Sequence, residues 1–155
     1  MKTLKNVLLG ALFASAGLVS CSNDDNGNSN ETVIEASALP ENARTFVTTH
    51  FPTATYVRVE KQNIADDDGS IYDAHLSNGF EIDFDTNGNW TDVDGNANAV
   101  PTAIVPEAIT NYVTLTYPNQ FISTIEIEIT GYDVELSNDL DLKFTAQGEF
   151  IGMEQ

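Results

Sequence analysis

The chain switches between two hydrophobic periods, and it does so twice. In LPENARTFVTTHFP (39–52) the apolar residues Leu39, Ala43, Phe46, Val47 and Phe51 are spaced to share one stripe of a helix. In VPEAITNYVTLTYP (105–118), 66 positions later, Val105, Ile109, Tyr112, Val113 and Tyr117 fill the same slots. Pro40 and Pro106 are predicted in the first helical turn, where no amide donor is missed, each followed by a glutamate suited to the positive helix end. Pro52 and Pro118 stop the helices.

Behind each helix the period falls to two. TYVRVEK (55–61) and STIEIEI (123–129) read as strands, with Ile125, Ile127 and Ile129 on one face and Glu126 and Glu128 on the other. YDAHLSNGFEIDFDTNGNW (72–90) returns as YDVELSNDLDLKFTAQGEF (132–150). Tyr72, Ala74, Leu76, Phe80, Ile82 and Phe84 mark one face of the first copy; Tyr132, Val134, Leu136, Leu140, Leu142 and Phe144 mark that of the second. A two-residue loop at Asn78-Gly79 would pair Leu76 with Glu81 and mix the faces. A three-residue loop, Ser77-Asn78-Gly79, pairs Leu76 with Phe80 and puts Gly79, or Asp139 in the second copy, in the left-handed region. By the same logic Thr86-Asn87-Gly88 pairs Phe84 with Trp90, and the second copy pairs Phe144 with Phe150.

The predicted fold class is α+β. Two tandem repeats, each a helix followed by about four antiparallel strands, occupy 39–94 and 105–155 and are joined by a linker at 95–104. One unit alone buries little surface, so the pair is expected to share one sheet with both helices on its apolar face.

The first 20 residues stand outside this pattern. Lys2 and Lys5 precede the apolar run VLLGALFASAGLV, too short to span a bilayer and suited to a signal peptide. Leu18-Val19-Ser20-Cys21 resembles a lipobox, so Cys21 is the predicted lipidation site and 21–38 a flexible tether. Ser22 behind the cysteine matches outer-membrane sorting signals, and SNDDN resembles surface-display signals, so the expected location is the cell envelope, periplasmic or surface-exposed. Cys21 is the one cysteine, so no intramolecular disulfide can form.

Charge narrows the partners. The chain holds 24 Asp+Glu against 6 Lys+Arg, a net −18, and loss of Lys2 and Lys5 takes it to about −20. That excludes nucleic acid and anionic membrane surfaces, which need clustered Lys and Arg, and permits a basic protein or peptide.

The LP that opens the helix, the FP or YP that closes it, Y-D-x-x-L-S-N-x and F-x-x-x-G-x-W/F together resemble the PepSY-like periplasmic family, over roughly 39–155. The resemblance implies a curved antiparallel sheet similar to beta-lactamase inhibitor protein, a distant link to protease regulation, and no catalytic residues. The second copy departs at Asp139 in the loop and at Lys143, which matches Asp83.

Chemistry is sparse. Asp83, Asp85, Asn87, Gly88 and Asp94 fit the opening and twelfth position of a calcium loop, but the flanks read as strands and Lys143, Thr145 and Gln147 break the pattern in the second copy. A hairpin turn accounts for the same residues without an ion. DDDGS (66–70) reads as a solvated turn, with a second cation site as the alternative. His50 and His75 have no ligand or nucleophile at working spacing. Glu81 with Asp83, and Glu126 with Glu128, read as a solvated face on which nothing raises a carboxyl pKa. Asp73, His75, Glu81, Asp83, Asp133, Glu135 and Asp141 form the candidate partner-binding face. The function expected is therefore a non-catalytic envelope lipoprotein, a protein-binding, inhibitor-like or regulatory module needing no cofactor. The alternative is a calcium-binding envelope protein using 83–94.

Overall fold

The computed structural model describes residues 31–66 and 68–154. The leader, Cys21 and the first part of the tether lie outside these, as does Asp67. The architecture is mixed α/β. The strands are β1 (Glu31–Val33), β2 (Tyr56–Gln62), β3 (Tyr72–Leu76), β4 (Glu81–Phe84), β5 (Trp90–Asp94), β6 (Ile122–Glu128), β7 (Gly131–Leu136), β8 (Leu140–Thr145) and β9 (Phe150–Glu154). They form one open sheet in chain order, every neighbouring pair antiparallel. Helix α1 (Glu41–His50) interrupts the β1–β2 connection, and α2 (Glu107–Thr116) the β5–β6 connection.

Both helices start and stop as their prolines dictate, with one correction. Pro40 and Pro106 are the extended N-cap residues, one place before the first turn, and their carbonyls accept the amides of Arg44 and Thr110 at 3.2 and 3.1 Å. Phe51 and Tyr117 end the ladders by bonding back to Val47 and Val113, and the prolines that follow have no N–H to continue them. Each helix rests on a β-turn through a glycine. A Cβ on Gly88 would stand 2.7 Å from the Pro40 side chain and 2.8 Å from the Ala43 amide nitrogen; one on Gly148 would stand 2.8 Å from Ala108. Both glycines have φ +79, so these sites exclude a side chain by space and by backbone.

A single lateral row forms the floor of the core. Val59, Ala74, Ile82, Val93, Ile125, Val134 and Leu142 are successive cross-strand partners over β2 to β8, none more than 3 % exposed. The helices cover this face: Phe46 meets Phe84 edge-on at 5.9 Å, and Tyr112 meets Phe144 edge-on at 5.5 Å. Both predicted three-residue loops form, with Leu136 opposite Leu140, Phe84 opposite Trp90 and Phe144 opposite Phe150, and Asp139 takes φ 60.

Three expectations are corrected. The sheet has nine strands rather than about eight, because Glu31–Val33, within the expected tether, pair with β2. The expected linker contributes to the core through Val100 and Ile104, and the Val100 amide bonds Ile122. Ile127 shares the strand face of Ile125 but is exposed, and Ile129, expected on the same strand, lies in the turn after β6 and is fully exposed.

Candidate functional site

Among the described residues, the opposite face of the sheet carries no helix and almost no apolar side chain. Glu60, Asp73, Asp83, Asp92, Glu126, Asp133 and Lys143 are successive cross-strand partners from β2 to β8. Strands lie ~4.8 Å apart, so six carboxylates stand in file before the row reaches an ammonium. A second row runs beside it: Arg58, His75, Glu81, Asp94, Thr124, Glu135 and Asp141. All seven residues of the sequence-predicted face fall in these rows, Asp73, Asp83 and Asp133 in the first and His75, Glu81, Glu135 and Asp141 in the second. Sequence reasoning missed Glu60, Asp92 and the joining role of Glu126. The alternation of Asp92 and Asp94 with Val93 was the signal that could have found the central pair.

The rows are not uniformly solvated. Asp66, Asp68, Ser70, Asp83, Asp92 and Glu126 line a cleft of about 510 Å3. Ser70 is buried and holds Asp68 through its amide and hydroxyl at 3.0 and 2.8 Å, which turns the acidic turn onto the sheet. Burial, then the charge of Asp73, raises the Asp83 carboxyl to about 7. Burial, then the charge of Asp83, raises Asp92 to about 8. Glu126 and Asp73 are raised as well, in each case by burial first and neighbouring carboxylates second. The expectation that nothing raises a carboxyl pKa here is thus overturned, because neighbouring strands and the 66–70 turn remove water from the row. In the 66–70 turn Asp66 and Gly69 are exposed and Ser70 is buried; Asp68 is half-buried, which opposes its ionisation, but hydrogen bonds from Ser70 hold its carboxyl low.

The row is compensated at its two ends. Arg58 Nη2 lies 2.6 Å from the buried Glu60, and His75 lies 3.6 Å from Glu60 and 3.3 Å from Glu81. Lys143 Nζ lies 2.8 Å from Asp133.

The four calcium candidates are divided among different tasks. Asp83 lines the acidic cleft. Burial opposes ionisation of Asp85, but hydrogen bonds from the side chain and amide of Asn89 and from Asn87 outweigh it and hold the carboxyl low. Asn87 is part of that turn, and its carbonyl accepts the Asn42 amide at 3.1 Å. Asp94 lies in the second row, where Oδ1 accepts the Asn96 amide at 2.6 Å and the Thr124 hydroxyl at 3.3 Å. Among the described residues no three His, Cys, Asp or Glu are grouped closely enough to hold a metal ion. His50 packs on Phe46 with ring centroids 4.6 Å apart, and His75 lies between Glu60 and Glu81.

A second, larger cleft of about 740 Å3 opens beyond Asp94. Its walls include Asn96, Phe121, Thr124, Glu135, Ser137 and Asp139. Asn96 (φ 54) and Asp139 (φ 60), the non-glycine residues with positive φ among those described, both border it.

The profile of the family described as "putative beta-lactamase-inhibitor-like, PepSY-like" matches residues 24–67 and 70–152. Among solved structures, one from Bacteroides thetaiotaomicron described as a "putative calcium-regulated periplasmic protein" is 32% identical, with TM-score 0.75, covering 83% of this chain and 100% of its own. A "putative periplasmic protein" from Bacteroides vulgatus is 34% identical, with TM-score 0.73 and coverages of 83% and 100%. A second from that species, described as of unknown function, is 27% identical, with TM-score 0.74 and coverages of 81% and 99%. No curated protein matches the chain. The chain therefore belongs to the PepSY-like, beta-lactamase-inhibitor-like family.

Proposed function

We propose that this protein is a non-catalytic module of the bacterial cell envelope that binds a basic protein or peptide on the open face of its sheet. The observation that carries the reading is the file of six carboxylates from Glu60 to Asp133. Like charges in register destabilise a sheet, and a cationic partner relieves them. Relatives described as periplasmic support the location, and the inhibitor-like family supports an inhibitory or regulatory role. In this reading Cys21 carries the lipid that tethers the domain to the outer membrane. The matched helices, loops and glycines of the two halves support descent from one duplicated unit.

Photo-crosslinkers at exposed Glu81 and Asp141, compared with exposed Thr48 and Thr114 on the helices, test the binding face in intact envelopes. One shared product from the sheet positions is expected; capture from the helix side alone would end the proposal. Incorporation of labelled fatty acid, lost in Cys21→Ser, tests the anchor; label retained in that variant would refute it.

Calcium is the second reading, favoured by the carboxylates that share the 66–126 cleft and by the description of the Bacteroides thetaiotaomicron relative. As they stand these carboxylates are too far apart to hold an ion, so in this reading calcium would draw Asp68, Asp83, Asp92 and Glu126 together. A rise in melting temperature with millimolar calcium, absent in Asp92→Asn, is expected; an equal rise in both proteins would exclude this site.

A further inference from the structure

The first half of the sheet supplies its own arginine where the second half has none. Arg58 stands opposite His75, directly after a register shift in β2 and two residues before Glu60, whose carboxylate it bonds. Thr124 stands opposite Glu135, directly after a register shift in β6 and two residues before Glu126. The backbone position is the same, but the side chain is a threonine, and the 740 Å3 cleft opens over it.

The walls of this cleft define what fits. Asp94 Oδ1 and Glu135 Oε2 lie 3.3 and 3.4 Å from the Thr124 hydroxyl. One hydroxyl proton serves one acceptor at a time, so the carboxylates of β5 and β7 on either side of Thr124 compete for it, and Asp94 Oδ1 has the Asn96 amide besides. Asp139 adds a third carboxylate, no lysine or arginine is among the lining residues, and Phe121, which is 39% exposed, lines the cleft.

We propose that this cleft is the anchor point for an arginine side chain of the basic partner, with its guanidinium between Asp94 and Glu135 and its stem against Phe121. The inference rests on the sheet-face reading above and narrows it to one residue type at one place. A guanidinium offers five donors in a plane, so it bridges two carboxylates while lying against a ring; a lysine ammonium is a point charge that cannot do both. Arginine is also enriched among the residues that dominate binding energy at interfaces.

The test is an amide-shift titration of the full-length protein in detergent micelles, using acetyl-Gly-Arg-Gly-amide and its lysine counterpart. Saturating shifts at Asp94, Phe121, Thr124 and Glu135 are expected, with the arginine peptide at least about threefold tighter. Phe121→Ser should weaken the arginine peptide and bring the two peptides level. Thr124→Arg, which supplies the missing side chain from within, should abolish the response while leaving the rest of the spectrum unchanged. Equal binding of the two peptides, or shifts centred on Asp83, Asp92 and Glu126, would overturn the anchor and leave the sheet-face reading standing. No shift anywhere on the face up to about 10 mM would count against both.

Discussion

The two halves of the sheet share a frame and differ in the charge laid on it. Each half hangs a ten-residue helix, entered through a proline N-cap, over a glycine turn, and each packs a phenylalanine under an aromatic of that helix. On the other face the first half places Asp83 opposite Asp73, whereas the second places Lys143 opposite Asp133. The first half fills its outer row with Arg58 and His75; the second puts Thr124 and Glu135 there. The difference teaches that the faces of a strand answer to separate demands. The covered face fixes the register, while the open face is free to vary in charge as long as that register holds.

If the frame is common, equivalent core losses should be equal. Phe84→Ala and Phe144→Ala should each cost about 3–5 kcal/mol in urea unfolding, and Ile129→Ser almost nothing. A large gap between the two phenylalanines would break the comparison.

If the charge differs, pH should separate the halves. Asp92 is protonated more readily in the folded state, so its contribution to stability is complete below the unfolded pKa and is lost as pH rises through about 8. Asp92→Asn should therefore stabilise the protein on the order of a few kcal/mol at pH 9 and little at pH 4. Thermal melts across that range give the sign directly.

A charge exchange sharpens the same point. Asp83→Lys copies the second half into the first and should stabilise by about 1 kcal/mol at pH 8, whereas Lys143→Asp should destabilise by a similar amount. The smallest effect belongs to the loops. Asp139→Gly should gain about 0.5 kcal/mol, because Asp139 holds φ 60 where the matching Gly79 holds φ +87.

The covered face was legible in the sequence because each core position is set by local alternation. Leu76, Phe80 and Phe84 were identifiable from their spacing, and the three-residue loops followed from keeping them together. Strand β1 was not, because Glu31–Val33 has no pattern of its own and is held by pairing with β2. The site was half legible. Alternation assigned Asp73, Glu81 and Asp133 to the open face, but it could not show that Asp83, Asp92 and Glu126 meet across three strands, since Glu126 lies beyond an intervening helix. The four residues of the calcium pattern are divided in the structure, Asp85 and Asn87 in the turn and Asp83 and Asp94 in different rows.

The central claim is that the open face is crowded with carboxylates and receives positive charge from a partner. Carbon-13 titration of the aspartate side chains, alone and with a tetra-arginine peptide, tests it most directly. The account predicts midpoints near 7 for Asp83 and near 8 for Asp92 in the free protein, both moving down toward the ordinary carboxylate range when the peptide binds. Midpoints of about 4 in both conditions, or midpoints the peptide leaves unmoved, would contradict it.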